Sequence, residues 1–174
     1  MTDLLIHTTG LTALVLNVFA LLRRCERSLR LHSSAAGALW ALNNLLLGAP
    51  TAAALSLVSA GRTASSAATL EGCARRRLAV FLAFVGLTLG VAALTWHGWA
   101  SALLAVASLV STAAMFYLRG AFLRWSMLLV SALWMVNAWQ LDSWEQMAAN
   151  AATAAAALWG AWRVRRDPSS VPQP

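Results

Sequence analysis

The sequence predicts an all-α integral membrane protein with seven short transmembrane helices, and three observations carry that prediction. Of 174 residues, 60% are hydrophobic and only 11% are charged, which is more apolar surface than a soluble domain of this length can hide in one core. The apolar residues fall into seven stretches, each close to the length of a membrane-crossing helix. The connectors between these stretches are alternately rich in arginine and free of it.

Each apolar stretch is long enough for a helix at the short end of the transmembrane range, which is about 17 residues. Backbone amides cannot stay unpaired in lipid, and the alternating pattern of barrel strands is absent, so each stretch is expected to be helical. The predicted spans are Leu4 to Leu22, Leu31 to Leu47, Pro50 to Ala67, Leu78 to Trp96, Ala100 to Tyr117, Leu123 to Trp139 and Trp144 to Trp162.

All 13 basic residues are arginines, and most of them occupy every second connector. Cytoplasmic loops carry the excess of positive charge, so the pattern predicts a multi-pass membrane protein with its N-terminus outside the cytoplasm and its C-terminus in the cytoplasm. The net charge of +7 is thereby explained without a nucleic-acid partner. Arg62 alone lies inside a span, about one turn from its end, and snorkelling to the interface is the simplest expectation. The clusters are Arg23, Arg24, Arg27 and Arg30; Arg75, Arg76 and Arg77; Arg119 and Arg124; and Arg163, Arg165 and Arg166.

An internal repeat is visible at a displacement of 94 residues, the distance from Trp40 to Trp134. The pattern Ala-Leu-Trp-x-x-Asn ends at Asn43 in the first copy and at Asn137 in the second. Three spans reverse the side of the chain, so one further crossing gives both copies the same orientation. We therefore predict two parallel three-helix bundles, joined by a linker helix, that face each other across a central cavity.

This repeat divides the chain into four segments. They are a first three-helix repeat in residues 1–70, an arginine-rich loop with a linker transmembrane helix in residues 71–98, a second three-helix repeat in residues 99–166, and a disordered cytoplasmic tail in residues 167–174. The tail is rich in proline and serine and contains too few apolar residues to pack.

The chain resembles the YgjV family of bacterial inner-membrane proteins in the stretch from Asn44 to Arg62 and in that from Val110 to Asn150. The three-plus-one-plus-three arrangement is also similar to that of the SWEET and PQ-loop (MtN3-like) superfamily. SWEET-type proteins carry prolines inside their spans, whereas the only proline at membrane depth here is Pro50, at a helix start. Glycines such as Gly10 and Gly37 could supply flexibility instead, or could serve close helix packing.

The resemblance implies a set of site residues. In SWEET-type proteins an asparagine and a tryptophan from each half line the central pocket. The corresponding substrate-binding candidates here are Trp40, Asn43, Ser56, Trp134, Asn137 and Asn150. The alternative is that Asn43 and Asn137 bond between helices and that the tryptophans belong to an interfacial belt. The other seven tryptophans lie beside predicted loops, which indicates anchoring at the membrane interfaces.

Three histidines and six acidic residues are spread over both predicted membrane faces. No metal-ligand cluster, phosphate-binding loop or nucleophile beside a base can be assembled from them, so we expect no enzyme activity, cofactor or metal. Apart from Arg62, no ionisable side chain is well inside a predicted span, which favours a SWEET-like facilitator of a small neutral polar solute. The alternative is a non-transporting receptor or assembly module on the same fold. The expected partners are the lipid bilayer and this solute, and a homodimer is possible.

Overall fold

The computed structural model describes residues 2–22, 26–69, 73–118 and 120–166, and over these ranges it contains seven α-helices and no strand. The predicted all-α fold is therefore confirmed. The helices are α1 (Thr2–Leu22), α2 (Glu26–Leu46), α3 (Pro50–Thr69), α4 (Ala74–Leu94), α5 (Trp99–Tyr117), α6 (Gly120–Gln140) and α7 (Trp144–Arg166). The predicted tail, residues 167–174, lies outside the described residues.

Two helices begin four or five residues earlier than the apolar pattern predicts. Helix α2 begins at Glu26 rather than Leu31, and α4 begins at Ala74 rather than Leu78. Arginine is a good helix former, and its long side chain can reach the interface while the backbone continues the helix. Hydrophobicity therefore marks the lipid-compatible part of these helices and not the point where their hydrogen bonding begins.

Three of the helices are long and apolar enough to cross a membrane by length and composition, through Asp3–Ala20, Ala74–Leu94 and Trp99–Tyr117. Helices α2, α3 and α7 are more polar because they carry much of the buried asparagine, glutamine, serine and threonine. Large apolar side chains such as Leu4, Leu94 and Phe122 point outward. Small residues in the interior and large apolar ones outside are typical of helices that pack in lipid.

Six helices pack into a ring, and α4 lies outside it. Within the first half α2 packs between α1 and α3, and within the second half α6 packs between α5 and α7. The halves meet at two seams, where α3 contacts α5 and α7 contacts α1. The 94-residue repeat relates α1 to α5 and α3 to α7, so each residue of one seam has an equivalent in the other seam. Over the described residues α4 contacts only α3 and α5, so it covers the α3/α5 seam and leaves the α1/α7 seam without a covering helix.

The turns that follow α2 and α6 have the same geometry. Gly48 has φ of 73° and Asp142 has φ of 52°, and these two left-handed residues are 94 positions apart in the chain. Each ends its helix with the same three backbone hydrogen bonds, a helix-terminating pattern of the Schellman kind. The bonds are Leu47 N to Asn43 O and Leu141 N to Asn137 O, Gly48 N to Leu45 O and Asp142 N to Trp139 O, and Ala49 N to Asn44 O and Ser143 N to Ala138 O.

Candidate functional site

A cavity of about 190 Å³ lies inside the ring, between the two halves. Four of the six predicted site residues line it, two from each half: Trp40, Ser56, Trp134 and Asn150. Trp40 and Ser56 lie on α2 and α3, and their repeat equivalents lie on α6 and α7. The structure therefore brings these four side chains to one cavity, and their contact with a solute stays a prediction.

Asn43 does not line this cavity. Its side chain is fully buried, and its Nδ2 donates to the backbone oxygen of Ile6 at 2.8 Å and to Thr9 Oγ1 at 3.2 Å. Its Oδ1 accepts a bond from Gln146 Nε2 at 3.0 Å. Asn43 thus fastens α2 to α1 and α7, which is the interhelical role that the sequence left open as the alternative.

Asn137 also lies away from the central cavity, although the repeat pairs it with Asn43. It borders a separate pocket near the start of α3 and α5, together with residues such as His97 and Ser101. Its Nδ2 is buried and has no hydrogen-bond partner. The backbone of Ala100, which the repeat places where Ile6 stands in the first half, accepts no bond from it. The two asparagines therefore have equivalent positions and different surroundings.

Gln146 is a central residue that the sequence reasoning missed. Its Nε2 donates to both Asn43 Oδ1 and Asn44 Oδ1 at 3.0 Å, and Asn44 Nδ2 in turn donates to Ser56 Oγ at 3.2 Å. Both Asn44 and Gln146 line the cavity. The repeat offered no signal for this network, because the residue equivalent to Gln146 is Ala52 and the one equivalent to Asn44 is an alanine as well.

Arg62 does not snorkel, contrary to the expectation from sequence. It is only 3% exposed and reaches from α3 across the seam to α5, where its two Nη atoms donate to hydroxyl and backbone oxygens while its Nε is buried without a partner. Its guanidinium also lines the cavity. The four bonds run from Nη1 to Ser108 O at 3.0 Å and Thr112 Oγ1 at 2.9 Å, and from Nη2 to Ser59 Oγ at 3.1 Å and Ser111 Oγ at 2.7 Å.

At the end of the ring near the α2–α3 and α6–α7 turns, the two seams contain repeat-related pairs with different chemistry. At the α1/α7 seam His7 Nδ1 lies 2.6 Å from Glu145 Oε1, and Glu145 is 1% exposed. At the α3/α5 seam the equivalent positions hold Ser101 and Thr51, whose hydroxyls are 3.4 Å apart. A histidine–carboxyl contact in one seam thus takes the place of a hydroxyl pair in the other.

A second repeat-related pair, deeper in the ring, also differs between the two seams. Asn17 Nδ2 donates directly to Thr153 Oγ1 at 3.3 Å across the α1/α7 seam. The equivalent residues of the α3/α5 seam, Ser111 and Ser59, are joined through the guanidinium of Arg62. The residue equivalent to Arg62 is Ala156, so the α1/α7 seam has no guanidinium at the position that Arg62 occupies in the α3/α5 seam.

No group of three His, Cys, Asp or Glu side chains is placed to hold a metal ion within the part of the chain that the structure describes. The side chains around the cavity are amides, hydroxyls, indoles and one guanidinium. They can donate and accept hydrogen bonds, stack on a flat molecule and offset a negative charge.

A family model described as a bacterial inner membrane protein, Imp-YgjV, matches residues 4–168. This chain belongs to that family. The family predicted from the sequence is confirmed, and the match extends over all seven helices. No curated protein and no solved structure matches the chain significantly. The likeness to SWEET and PQ-loop proteins stays a prediction.

The tryptophans of this Imp-YgjV protein form two groups. Seven are exposed on the surface of the ring, at the helix ends where the sequence predicted anchors: Trp96, Trp99, Trp125, Trp139, Trp144, Trp159 and Trp162. The other two, Trp40 and Trp134, are half-buried and face the cavity. Indole rings at helix ends can anchor the protein at a membrane interface, whereas the two indoles beside the cavity lie away from that interface.

Proposed function

We propose that this Imp-YgjV protein is a membrane transporter that lets a small polar solute cross through the cavity inside the six-helix ring. The observation that carries the proposal is the position of Trp40 and Trp134, which are related by the repeat and border one cavity from opposite halves. Indole faces can stack on the apolar side of a small molecule, while Ser56 and Asn150 bond to its polar groups. A binding site between two structural repeats is where transporters of this general design hold their solutes.

The cavity volume limits the size of the solute. A cavity of about 150 Å³ is large enough for benzene, and this one has about 190 Å³. The proposed solute is therefore about as large as a six-membered ring with one or two substituents. Larger molecules such as disaccharides would require the ring to expand.

One end of the cavity is lined by side chains that can separate without breaking a helix. Gln146 crosses from α7 to α2 through its bonds to Asn43 and Asn44, and these three residues lie near the helix ends that we assign to the periplasmic side. Interhelical hydrogen bonds of this kind contribute about 0.6 kcal/mol each in membranes. Opening this end would thus cost little compared with unfolding a helix.

The alternative function, a non-transporting receptor or assembly module, predicts a packed centre with Trp40 and Trp134 turned to lipid. The cavity and the inward position of both indoles support the transporter instead. One chain supplies both halves of the ring, so the proposed pathway does not require a homodimer.

The proposed topology has seven crossings, with the N-terminus in the periplasm and the C-terminus in the cytoplasm, because every second connector is rich in arginine. A periplasmic alkaline phosphatase fused to the N-terminus should be active, and a fluorescent protein fused to the C-terminus should fluoresce. Both termini on the same side of the membrane would remove the parallel orientation of the two halves and the transporter proposal with it.

The transport proposal is tested by replacing Trp134 in purified protein reconstituted into liposomes. We expect saturable uptake of a small polar solute that falls at least about tenfold in Trp134→Ala, since losing one stacking contact of about 1.4 kcal/mol has that effect. Trp134→Phe keeps an aromatic face and should retain most of the uptake. Trp139→Ala is the matched control, because this tryptophan lies on the same helix and is 72% exposed. Equal uptake by the Trp134→Ala variant and the wild type would remove Trp134 from the pathway.

A further inference from the structure

We propose that the solute of this cavity is a small organic anion with a single carboxylate, held beside Arg62 by the hydroxyls of Ser59 and Ser111. This inference rests on the proposed function, because it takes the cavity to be the solute site. It replaces the neutral solute expected from the sequence, since that expectation set Arg62 aside.

The first step of the argument is that Arg62 is buried without an acidic partner. All four of its hydrogen bonds go to neutral oxygens of Ser59, Ser108, Ser111 and Thr112. A charged side chain inside a membrane protein is costly unless an opposite charge offsets it, and it is then commonly functional.

The acidic side chains that the structure describes cannot supply that opposite charge. Asp3 and Asp142 are exposed at the outer ends of α1 and the α6–α7 turn, and Glu145 is bonded to His7 in the opposite seam. Within the described ranges no carboxylate forms an ion pair with Arg62. Because the described side chains leave this guanidinium without a counter-charge, a bound anion in the cavity would supply one.

The second step concerns the hydroxyls. Ser59 and Ser111 both line the cavity, and each accepts a bond from Arg62 Nη2. A hydroxyl that accepts through its oxygen still has its hydrogen to donate, and within the described residues neither hydroxyl donates to another group. Two hydroxyl donors polarised by one guanidinium can therefore converge on the oxygens of a carboxylate.

The rest of the cavity sets the class of anion. Arg62 is the one arginine among the described residues that line the cavity, and its repeat equivalent in the other seam is Ala156. This favours a single carboxylate over a dianion. Trp40 and Trp134 offer indole faces to an apolar body, which an inorganic anion lacks. The volume of about 190 Å³ suits a carboxylate with a short carbon chain.

The experiment compares carboxylates with amides of the same shape on the purified full-length protein. Propionate and lactate should raise its melting temperature, and should quench or shift its tryptophan fluorescence, at concentrations at least tenfold lower than propionamide and lactamide do. This comparison uses the wild type, so it does not depend on the folding of a variant. Equal effects of the carboxylates and their amides would overturn the proposal.

Variants then test the role of Arg62. Arg62→Gln should lose the preference for carboxylates at least about tenfold, whereas Arg62→Lys, which keeps the charge, should retain part of it. Arg75→Gln is the matched control, because it removes the same charge from an exposed arginine at the start of α4 and should bind as the wild type does. An unchanged preference in Arg62→Gln would overturn the assignment of Arg62.

Binding and uptake separate this inference from the proposed function. If the carboxylates bind selectively but no solute crosses reconstituted membranes, the transporter proposal fails and the anion site stands. If lactamide is taken up as well as lactate, the transporter proposal stands and the anion site fails.

Discussion

Gly10→Leu is expected to lower the free energy of unfolding by about 3 kcal/mol or more, which is the largest stability effect that we predict. A Cβ atom at Gly10 would lie 3.2 Å from Asn43 Nδ2 and 3.2 Å from both Cβ and Cγ of Glu145. The Cβ of Glu145 cannot move without the backbone of α7, so a leucine here must push α1 out of the ring. Overpacking of a tight contact typically costs about 1 to 3 kcal/mol, and a larger side chain costs more.

The measurement is an SDS titration in mixed micelles, followed by the helical circular dichroism of the purified protein. Gly10→Ala should lose about 1 kcal/mol, because a single methyl group demands a shift of only a few tenths of an ångström. Gly86→Leu is the matched control, since a Cβ at Gly86 on the outward face of α4 meets nothing within 4 Å. A Gly10→Leu variant as stable as Gly86→Leu would show that α1 is not held as closely as we describe.

Asn43→Ala is expected to destabilise the protein by about 2 kcal/mol, whereas Asn137→Ala should change its stability by less than about 0.5 kcal/mol. Asn43 takes part in three interhelical hydrogen bonds, to Ile6, Thr9 and Gln146, and such bonds contribute about 0.6 kcal/mol each in membranes. The Nδ2 of Asn137 has no partner. Replacing this residue by alanine therefore breaks no hydrogen bond of Nδ2 and removes the cost of burying an unpaired donor.

The two variants control each other, because they make the same substitution at repeat-related positions of α2 and α6. Both are measured in the same SDS titration, and a double variant should lose no more than Asn43→Ala alone. Equal losses in the two single variants would mean that the halves are held in the same way, and the asymmetry that we assign to the ring would be wrong.

Most of the architecture could be predicted from the sequence, because hydrophobic runs and arginine positions respond to the bilayer and not to particular neighbours. Seven helices were expected and seven are present over the described residues, with differences at helix starts such as Glu26. The resemblance to SWEET-type proteins singled out Trp40 and Trp134, and both line the cavity. Their binding of a solute stays a prediction.

The sequence was less informative about the polar side chains. Asn43 and Asn137 look equivalent in the repeat, yet one is bonded on three sides and the other is unpaired. The difference depends on Gln146 and Thr9, whose counterparts Ala52 and Leu103 cannot hydrogen-bond. A hydrogen bond between two helices joins groups from distant parts of the chain. No local sequence pattern indicates which of these groups will meet.

The sequence by itself determined that this protein is helical and belongs in a membrane, because lipid allows so few backbone solutions. Only the tertiary structure decided that α4 lies outside a six-helix ring and that Gly10 is a contact and not a hinge. It also decided that Arg62 points into the cavity. Burial of a long side chain is set by the oxygens that surround it, and those of Ser108 and Ser111 come from another helix.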